Sequence, residues 1–219
     1  MSQLAQWGSY WTAGGLSRGF GNTMAAFLVS ALLTLVWGMV VAILRMSPIL
    51  PLRWLAIAYI EVFRGTPMLV QLLTFFATVP MVIGLQLPPF ETAVLALVLN
   101  TGGYVAESYR SGLQAVPRGQ IEAGLAIGMS RRTVFVRVTL PLAIRVVLPA
   151  VGNMLAGLLL TTSFVFVVGL EDMAAKANQI MNRTGDWSVY LLITLIYVGL
   201  GLVLLAGNNR LERRLGPLG

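Results

Sequence analysis

The chain has no cysteine, no histidine and a single lysine, Lys176, and charged residues make up only 11% of its 219 positions. Without cysteine there is no disulfide, no thiolate metal site and no cysteine nucleophile. Without histidine the usual general base and the commonest metal ligand are missing. Lys176 lies outside any Gly-x-x-x-x-Gly-Lys-Ser/Thr run, so nothing here forms the phosphate-binding loop of an ATPase. Soluble proteins carry roughly a quarter of their residues as Asp, Glu, Lys and Arg. A chain that is 57% hydrophobic, with a mean hydropathy of +0.82, cannot coat itself against water, and lipid must be the solvent for much of its surface. The net charge of +7 does not read as a nucleic-acid footprint. The arginines fall between apolar runs rather than along one soluble face, the pattern of cytoplasmic anchoring.

What is present is a series of apolar runs. A membrane helix needs about 20 mostly apolar residues to cross a ~30 Å core. The sequence predicts five spans, at about 19–44, 52–80, 90–112, 146–170 and 187–209, in an all-α membrane protein. Pro80, Gly84, Pro88 and Pro89 are expected to end the second near residue 80. Residues 1–17 carry no charge, so no basic region precedes a cleavable leader. Segment 1–18, with Trp7, Tyr10 and Trp11, reads as an extracytoplasmic interfacial piece, and 216–219 as a tail. Arg45, Arg53, Arg110, Arg118, Arg131, Arg132, Arg137, Arg145, Arg210, Arg213 and Arg214 all fall on one side of the predicted spans. Only Arg18, Lys176 and Arg183, mixed with Glu91, Glu171, Asp172 and Asp186, fall on the other. This bias places the N-terminus outside and the C-terminus inside.

Several polar residues lie within the apolar runs, and each admits two readings. Glu61 and Arg64 are three apart, share a helix face and can pair, either as part of a pathway or gate or as a structural ion pair. Thr66-Pro67 follows at once and breaks the backbone ladder, which tilts Gly65 to Gln71 towards a cavity-lining role. Glu107 and Arg110 repeat the spacing at a span end, where an interfacial pair is the default. Asn100 and Thr101 offer either solute contact or an interhelical hydrogen bond. Thr161, Thr162 and Ser163 offer hydroxyls that serve a pathway or bond back to their own helix. Gly102, Gly103, Gly152 and Gly157 read as packing positions, and Trp37, Trp54 and Trp187 as interface or lipid contacts.

The loop 115–141 is too polar to span and too patterned for a loose connector. Glu122, Leu125, Ala126 and Met129 recur at helical spacing, and Gly128 suits a left-handed C-cap. Ser130 can cap a second short helix, Arg131 to Leu140, which Pro141 is expected to interrupt. Two short helices joined at Gly128-Met129-Ser130 make either a knob with a small-residue tip or an amphipathic hairpin on the membrane surface.

The run Gln120-Ile121-Glu122-Ala123-Gly124-Leu125-Ala126-Ile127-Gly128, followed by Val138-Thr139-Leu140-Pro141, resembles the EAA loop of bacterial ABC-importer permeases. It departs once, with Gly124 in place of the second Ala. The stretch Glu61-Val62-Phe63-Arg64-Gly65-Thr66-Pro67-Met68-Leu69-Val70-Gln71 is similar to the signature of polar amino-acid permeases of the histidine/glutamine type. Gly103-Tyr104-Val105-Ala106-Glu107, Val116-Pro117-Arg118-Gly119-Gln120, Leu148-Pro149-Ala150 and Leu211-Glu212-Arg213-Arg214-Leu215 resemble the same family. Where many members carry Lys-Asp-Thr-Ser, this chain has Leu160-Thr161-Thr162-Ser163, which weakens any inheritance of solute class.

The resemblance implies a type I ABC-importer permease fold with a cytoplasmic coupling helix, in the bacterial cytoplasmic membrane. It implies that Glu122, Ala123, Gly124, Ala126, Gly128, Met129 and Ser130 dock on a separate ATPase. It also implies two such ATPase subunits holding ATP and Mg2+, a second permease subunit, identical or homologous, and an extracytoplasmic amino-acid-binding protein. Membrane lipid is a partner and nucleic acid is not. The expected pathway residues are Glu61, Arg64, Thr66, Pro67, Gln71, Asn100, Thr101, Thr161, Thr162 and Ser163. The rival readings are a channel or secondary transporter acting alone, disfavoured by few membrane-embedded acids and no evident inverted repeat, and an intramembrane hydrolase, disfavoured by the missing histidine.

Overall fold

Proline placement shapes the helices. The computed structural model describes residues 3–215, and the expected tail 216–219 lies outside them. Among the described residues every regular element is helical. In chain order these are α1 (Gln3–Thr12), α2 (Leu16–Arg45), α3 (Leu50–Gly65), α4 (Met68–Ile83), α5 (Pro89–Gln114), α6 (Arg118–Ala126), α7 (Arg131–Val168), α8 (Met173–Thr184) and α9 (Ser188–Leu215).

α2, α7 and α9 are each long and apolar enough to cross a membrane. The predicted second span, 52–80, is not one straight helix: α3 and α4 meet at an angle of 108°. Thr66 precedes a proline, which drives it out of the helical region to φ −110°, ψ 139°. The remaining predicted span is α5, 26 residues long, with thirteen of them buried. It is the hub of the fold, packed against α2, α3, α4 and α7. Protein rather than lipid surrounds it, which is why it tolerates more polar residues than its neighbours.

Two prolines expected to end helices do not. Pro80 lies inside α4, which runs on to Ile83 and stops at the left-handed Gly84. Pro141 lies inside α7, which is continuous for 38 residues. In both cases a π-helical turn comes first, Thr74–Thr78 before Pro80 and Phe135–Thr139 before Pro141. A wider turn relieves the clash of the proline ring with the preceding carbonyl, so the rod continues. The fourth span therefore grows directly out of the polar loop rather than starting near residue 146. The N-terminal segment is also shorter than expected, since α2 begins at Leu16, which is fully buried. α1 is fastened to the start of α9 by Trp7 Nε1 donating to Ser188 Oγ (3.1 Å) and Tyr10 Oη donating to Asp186 Oδ2 (2.7 Å).

The main core joins Ala26, Phe27 and Ala31 of α2 with Leu72, Ala96, Leu97, Leu158 and Val165. Close approach of α2 and α5 depends on Gly38, where an added Cβ would lie 2.6 Å from Val105 Cγ1. Gly152 plays the same part opposite Asn208 of α9, whose amide donates to Pro149 O (2.9 Å) and Asn153 Oδ1 (3.1 Å). Gly157, expected to pack, has open space around it within this chain. Trp37, Trp54 and Trp187 are all exposed, and Trp37 also donates its indole N–H to Tyr59 Oη (2.8 Å) beside Gly102.

Overpacking a tight helix crossing costs about 1–3 kcal/mol. Gly38→Ala should therefore lower the thermal midpoint of the purified protein, and Val105→Ala in the same chain should restore part of the loss.

Candidate functional site

Breaking α3 at Pro67 leaves its last carbonyls short of donors, and side chains supply them. Pro67 has no N–H for the carbonyl of Phe63 four residues earlier. Gln71 Nε2 (2.8 Å) and Asn100 Nδ2 (3.0 Å) both donate to that oxygen instead. Gln71 Nε2 also reaches Thr66 O (3.0 Å) and Thr66 Oγ1 (2.6 Å), while its own Oε1 accepts from Asn100 (3.3 Å). Thr66 Oγ1 donates to Val62 O (2.8 Å), and Tyr104 Oη donates to Arg64 O (3.3 Å). The bend is thus closed by a network joining α3, α4 and α5. A hollow of about 180 Å³ lies beside it, lined by Val62, Phe63, Thr66, Val70, Gln71 and Thr74 among others.

The expected pathway residues divide. Thr66, Gln71 and Asn100 come together at the break, with Asn100 making the interhelical hydrogen bonds of its second reading. Thr101 is buried on α5. Glu61 and Arg64 do not form the expected ion pair: both are exposed, and no carboxylate oxygen of Glu61 lies within 4 Å of a guanidinium nitrogen of Arg64. Arg64 instead lies over the Tyr104 ring, 5.0 Å from its centre. The pair that does form is Glu107 with Arg110, joined by Arg45 at 3.8 Å. Thr161 Oγ1, Thr162 Oγ1 and Ser163 Oγ each bond back to their own helix, to Gly157 O (2.8 Å), Leu159 O (2.6 Å) and Leu160 O (2.8 Å). There α7 tightens into a 3-10 segment, Thr162–Val168, which packs against Met68–Leu73 of α4.

The polar loop folds as two helices meeting at a tight turn. Met129 N–H donates to Gly124 O (3.1 Å) and Gly128 N–H to Leu125 O (3.0 Å), the bond pair of a Schellman motif. Gly128 takes the left-handed conformation this motif requires, with φ 84°. Ser130 caps α7, its Oγ accepting from Thr133 N–H (3.2 Å). Gly124 is buried, and a Cβ there would stand 3.0 Å from Val134 Cγ2, so the departure to glycine lets the two helices close. Glu122, Ala123, Ala126, Gly128 and Ser130 remain exposed, Met129 is half-buried, and Ile127 at the tip is 79% exposed.

Sequence reading overlooked Asp172. It is fully buried where α2, α8 and the 3-10 segment meet. Its Oδ1 caps α8 by accepting from Ala175 N–H (2.8 Å), and its Oδ2 has no partner among the described residues. Burial pushes its carboxyl up from 3.8 to about 6. Its neighbours are clamped to α2: Asn22 Nδ2 donates to Glu171 O (2.8 Å), and Met173 N–H donates to Thr23 Oγ1 (3.1 Å). Glu171 itself pairs with Lys176 at 2.9 Å, which holds its carboxyl below the ordinary value. The available signal was the position of Asp172 one residue before a helix.

Comparison with known proteins adds the following. Residues 34–217 match the family model described as binding-protein-dependent transport system inner membrane component. The chain is 33% identical to the probable glutamine ABC transporter permease protein GlnM of Bacillus subtilis, over 90% of this chain and 91% of that one. It is 35% identical to the L-cystine transport system permease protein TcyB of the same organism, over 94% and 88%. A crystal structure of an amino acid ABC transporter with histidines superposes with a TM-score of 0.89 at 33% identity, over 98% of this chain and 99% of that one. The MetNI methionine ABC transporter, in an inward-facing conformation, shares the fold with a TM-score of 0.72 at 21% identity, over 99% and 100%.

Two outcomes are expected. Leaving a buried carbonyl without a donor costs about 1–3 kcal/mol, so Gln71→Leu combined with Asn100→Leu, which strips both donors from the Phe63 carbonyl, should destabilise the protein by at least that amount in thermal unfolding while Thr161→Ala has little effect. Because the folded Asp172 carboxyl titrates above its unfolded value, its contribution is fully present below pH 3.8 and is lost as pH rises through about 6. Asp172→Asn keeps the cap and removes this slope, so it should gain roughly 2 kcal/mol over the unmodified chain between pH 4 and pH 7.

Proposed function

The chain belongs to the family of binding-protein-dependent transport system inner membrane components, and we propose that it is the permease subunit of an ATP-driven importer carrying an amino acid across the bacterial cytoplasmic membrane. The observation that carries this reading is the projecting turn between α6 and α7. It is rigidly built by a Schellman motif and a serine cap, yet it ends in an exposed isoleucine, Ile127. An apolar side chain held out on a rigid tip is suited to a groove on another protein. In a chain with no phosphate-binding loop of its own, that protein is the ATPase that supplies the energy, binding ATP and Mg2+.

Two ATPase subunits would dock beneath two permeases, the second identical or homologous, and an extracytoplasmic binding protein would deliver the amino acid. The arginine bias sets the N-terminus outside and the turn inside. Closure of the ATPases on ATP would move the turn, and α7 would carry that motion to the 3-10 segment packed on α4. The pathway would open outward between the spans near Thr66, Asn100 and Thr161–Ser163, and hydrolysis would reset it. Similarity to permeases named for glutamine and L-cystine supports amino acids as the cargo class.

The test is ATPase activity of the reconstituted complex with and without its binding protein. Gly128→Asp, which strains the left-handed turn, and Ile127→Asp, which places a charge at the exposed tip without disturbing the fold, should each abolish the stimulation. The ATPase subunit should co-purify in stoichiometric amount with the unmodified chain and be lost from Ile127→Asp. Stimulation that survives both changes sinks the coupling role.

A further inference from the structure

Where α2, α3 and α5 end together, a cavity of about 300 Å³ is lined by Arg45, Met46, Arg53, Arg110 and Gln114. Three guanidinium groups line one space, and among the described residues the only carboxylate paired with any of them is Glu107. Three positive charges against one negative leave a surplus of two. Arg110 is already committed: its Nε lies 3.1 Å from both oxygens of Glu107, and its Nη1 is held by Gln114. Arg45 is not. Its Nε and Nη1 donate no hydrogen bond among the described residues and are turned from solvent, and its nearest acid, Glu107, stands at 3.8 Å. The part of the side chain still exposed lines the cavity, so a turn of the guanidinium brings its unpaired donors to a ligand there. Buried guanidinium donors without acceptors are costly, so a cluster of this kind calls for an anion with several oxygens.

The setting selects the anion. Arg45 is the last residue of α2, and Arg110 lies one turn from the end of α5, so the cavity opens at the edge of the membrane. Ile43, Met46, Ile49, Leu50 and Trp54 are all exposed beside it, an apolar rim with an interfacial tryptophan. A free phosphate has no use for such a rim, whereas a phosphodiester carrying acyl chains fits both halves. Basic pockets between spans at the membrane surface are established places for anionic headgroups. We propose that this cavity is a binding site for the phosphodiester headgroup of one anionic membrane lipid, with Arg45 and Arg53 as its free donors and Arg110 held in position by Glu107 and Gln114. The site would pin the short α2–α3 connection to the membrane surface. Only its assignment to the inner leaflet rests on the orientation proposed above.

The test uses the full chain purified in detergent micelles and native mass spectrometry with phosphatidylglycerol or phosphatidylcholine of identical acyl chains. Each basic residue near an anionic surface is worth roughly a fivefold gain in binding, so one phosphatidylglycerol per chain should be retained with at least a tenfold preference. Arg45→Gln with Arg53→Gln should bring the preference close to unity, and Arg53→Gln alone, at an exposed position, should cut it severalfold without affecting the thermal midpoint. Arg132→Gln, in the turn region, should leave it unchanged. Equal retention of the two lipids, or an unaltered preference in both Arg53 variants, overturns the proposal. So does displacement of the lipid by millimolar inorganic phosphate, which would assign the site to a free anion. Lipid retention is read without ATPase or transport, so its failure is separate from failure of the coupling role.

Discussion

In a bilayer every backbone donor and acceptor has to be satisfied by protein, because hydrocarbon offers nothing in exchange. This chain nevertheless places prolines at 67, 80, 141 and 149 within or between its apolar runs. Each removes a donor, and the fold does not treat all four alike. Pro80 and Pro141 are absorbed by a preceding π turn, while Pro149 lies inside α7 where Asn208 of the neighbouring helix donates to its carbonyl. Pro67 is the one at which the chain bends through 108°, and there two side-chain amides converge on a single oxygen, that of Phe63. Gln71 and Asn100 are therefore structural first: without them the bend would leave an open carbonyl at membrane depth.

The second consequence is mechanical. Because Pro141 does not interrupt α7, one rod of 38 residues leads from the capped turn at Ser130 to the 3-10 segment at Thr162–Val168. That segment packs against Met68–Leu73, which starts at the bend. On the proposed reading, a push at Gly128 reaches the bend through continuous helix and one packed contact. The shift from α to 3-10 winding at the far end is a place where a small change of helical pitch moves side chains against α4.

Much of this was legible in the sequence. The apolar runs gave the helices, and Gly128 with Ser130 gave the turn, because a left-handed glycine followed by a capping hydroxyl is a local rule independent of the rest of the fold. Thr66-Pro67 marked the bend for the same reason. The outcomes that differed were non-local. The fate of Pro141 depended on whether five preceding residues could widen into a π turn. The partner of Arg64 was decided by Tyr104 lying across from it on α5, while Glu107 had two arginines within reach. Asp172 looked like an outer-loop charge and became a buried cap because Gly19 lets α2 approach its backbone, an added Cβ there falling 2.8 Å from the Asp172 carbonyl oxygen.

The exposed polar residues beside the bend carry the argument one step further. Glu61, Arg64 and Thr66 all face outward from this chain, and neither of the two charges neutralises the other. They lie on the last turns of α3 and at its C-cap, directly before the break in a hydrophobic pair of helices, where facing lipid costs several kcal/mol per charge. The far end of α4 is no better provided, since Met81, Val82 and Ile83 are among the most exposed apolar side chains. A surface that combines bare charge with bare hydrocarbon side by side suits neither lipid nor bulk water alone. The second permease proposed above would answer both needs, burying the apolar part of the surface while the polar part lined a water-filled gap. On the proposed reading the bend at Pro67 would be half of a pathway, and the proposed second permease would answer the same rule of polar satisfaction that places Gln71 and Asn100 on the Phe63 carbonyl.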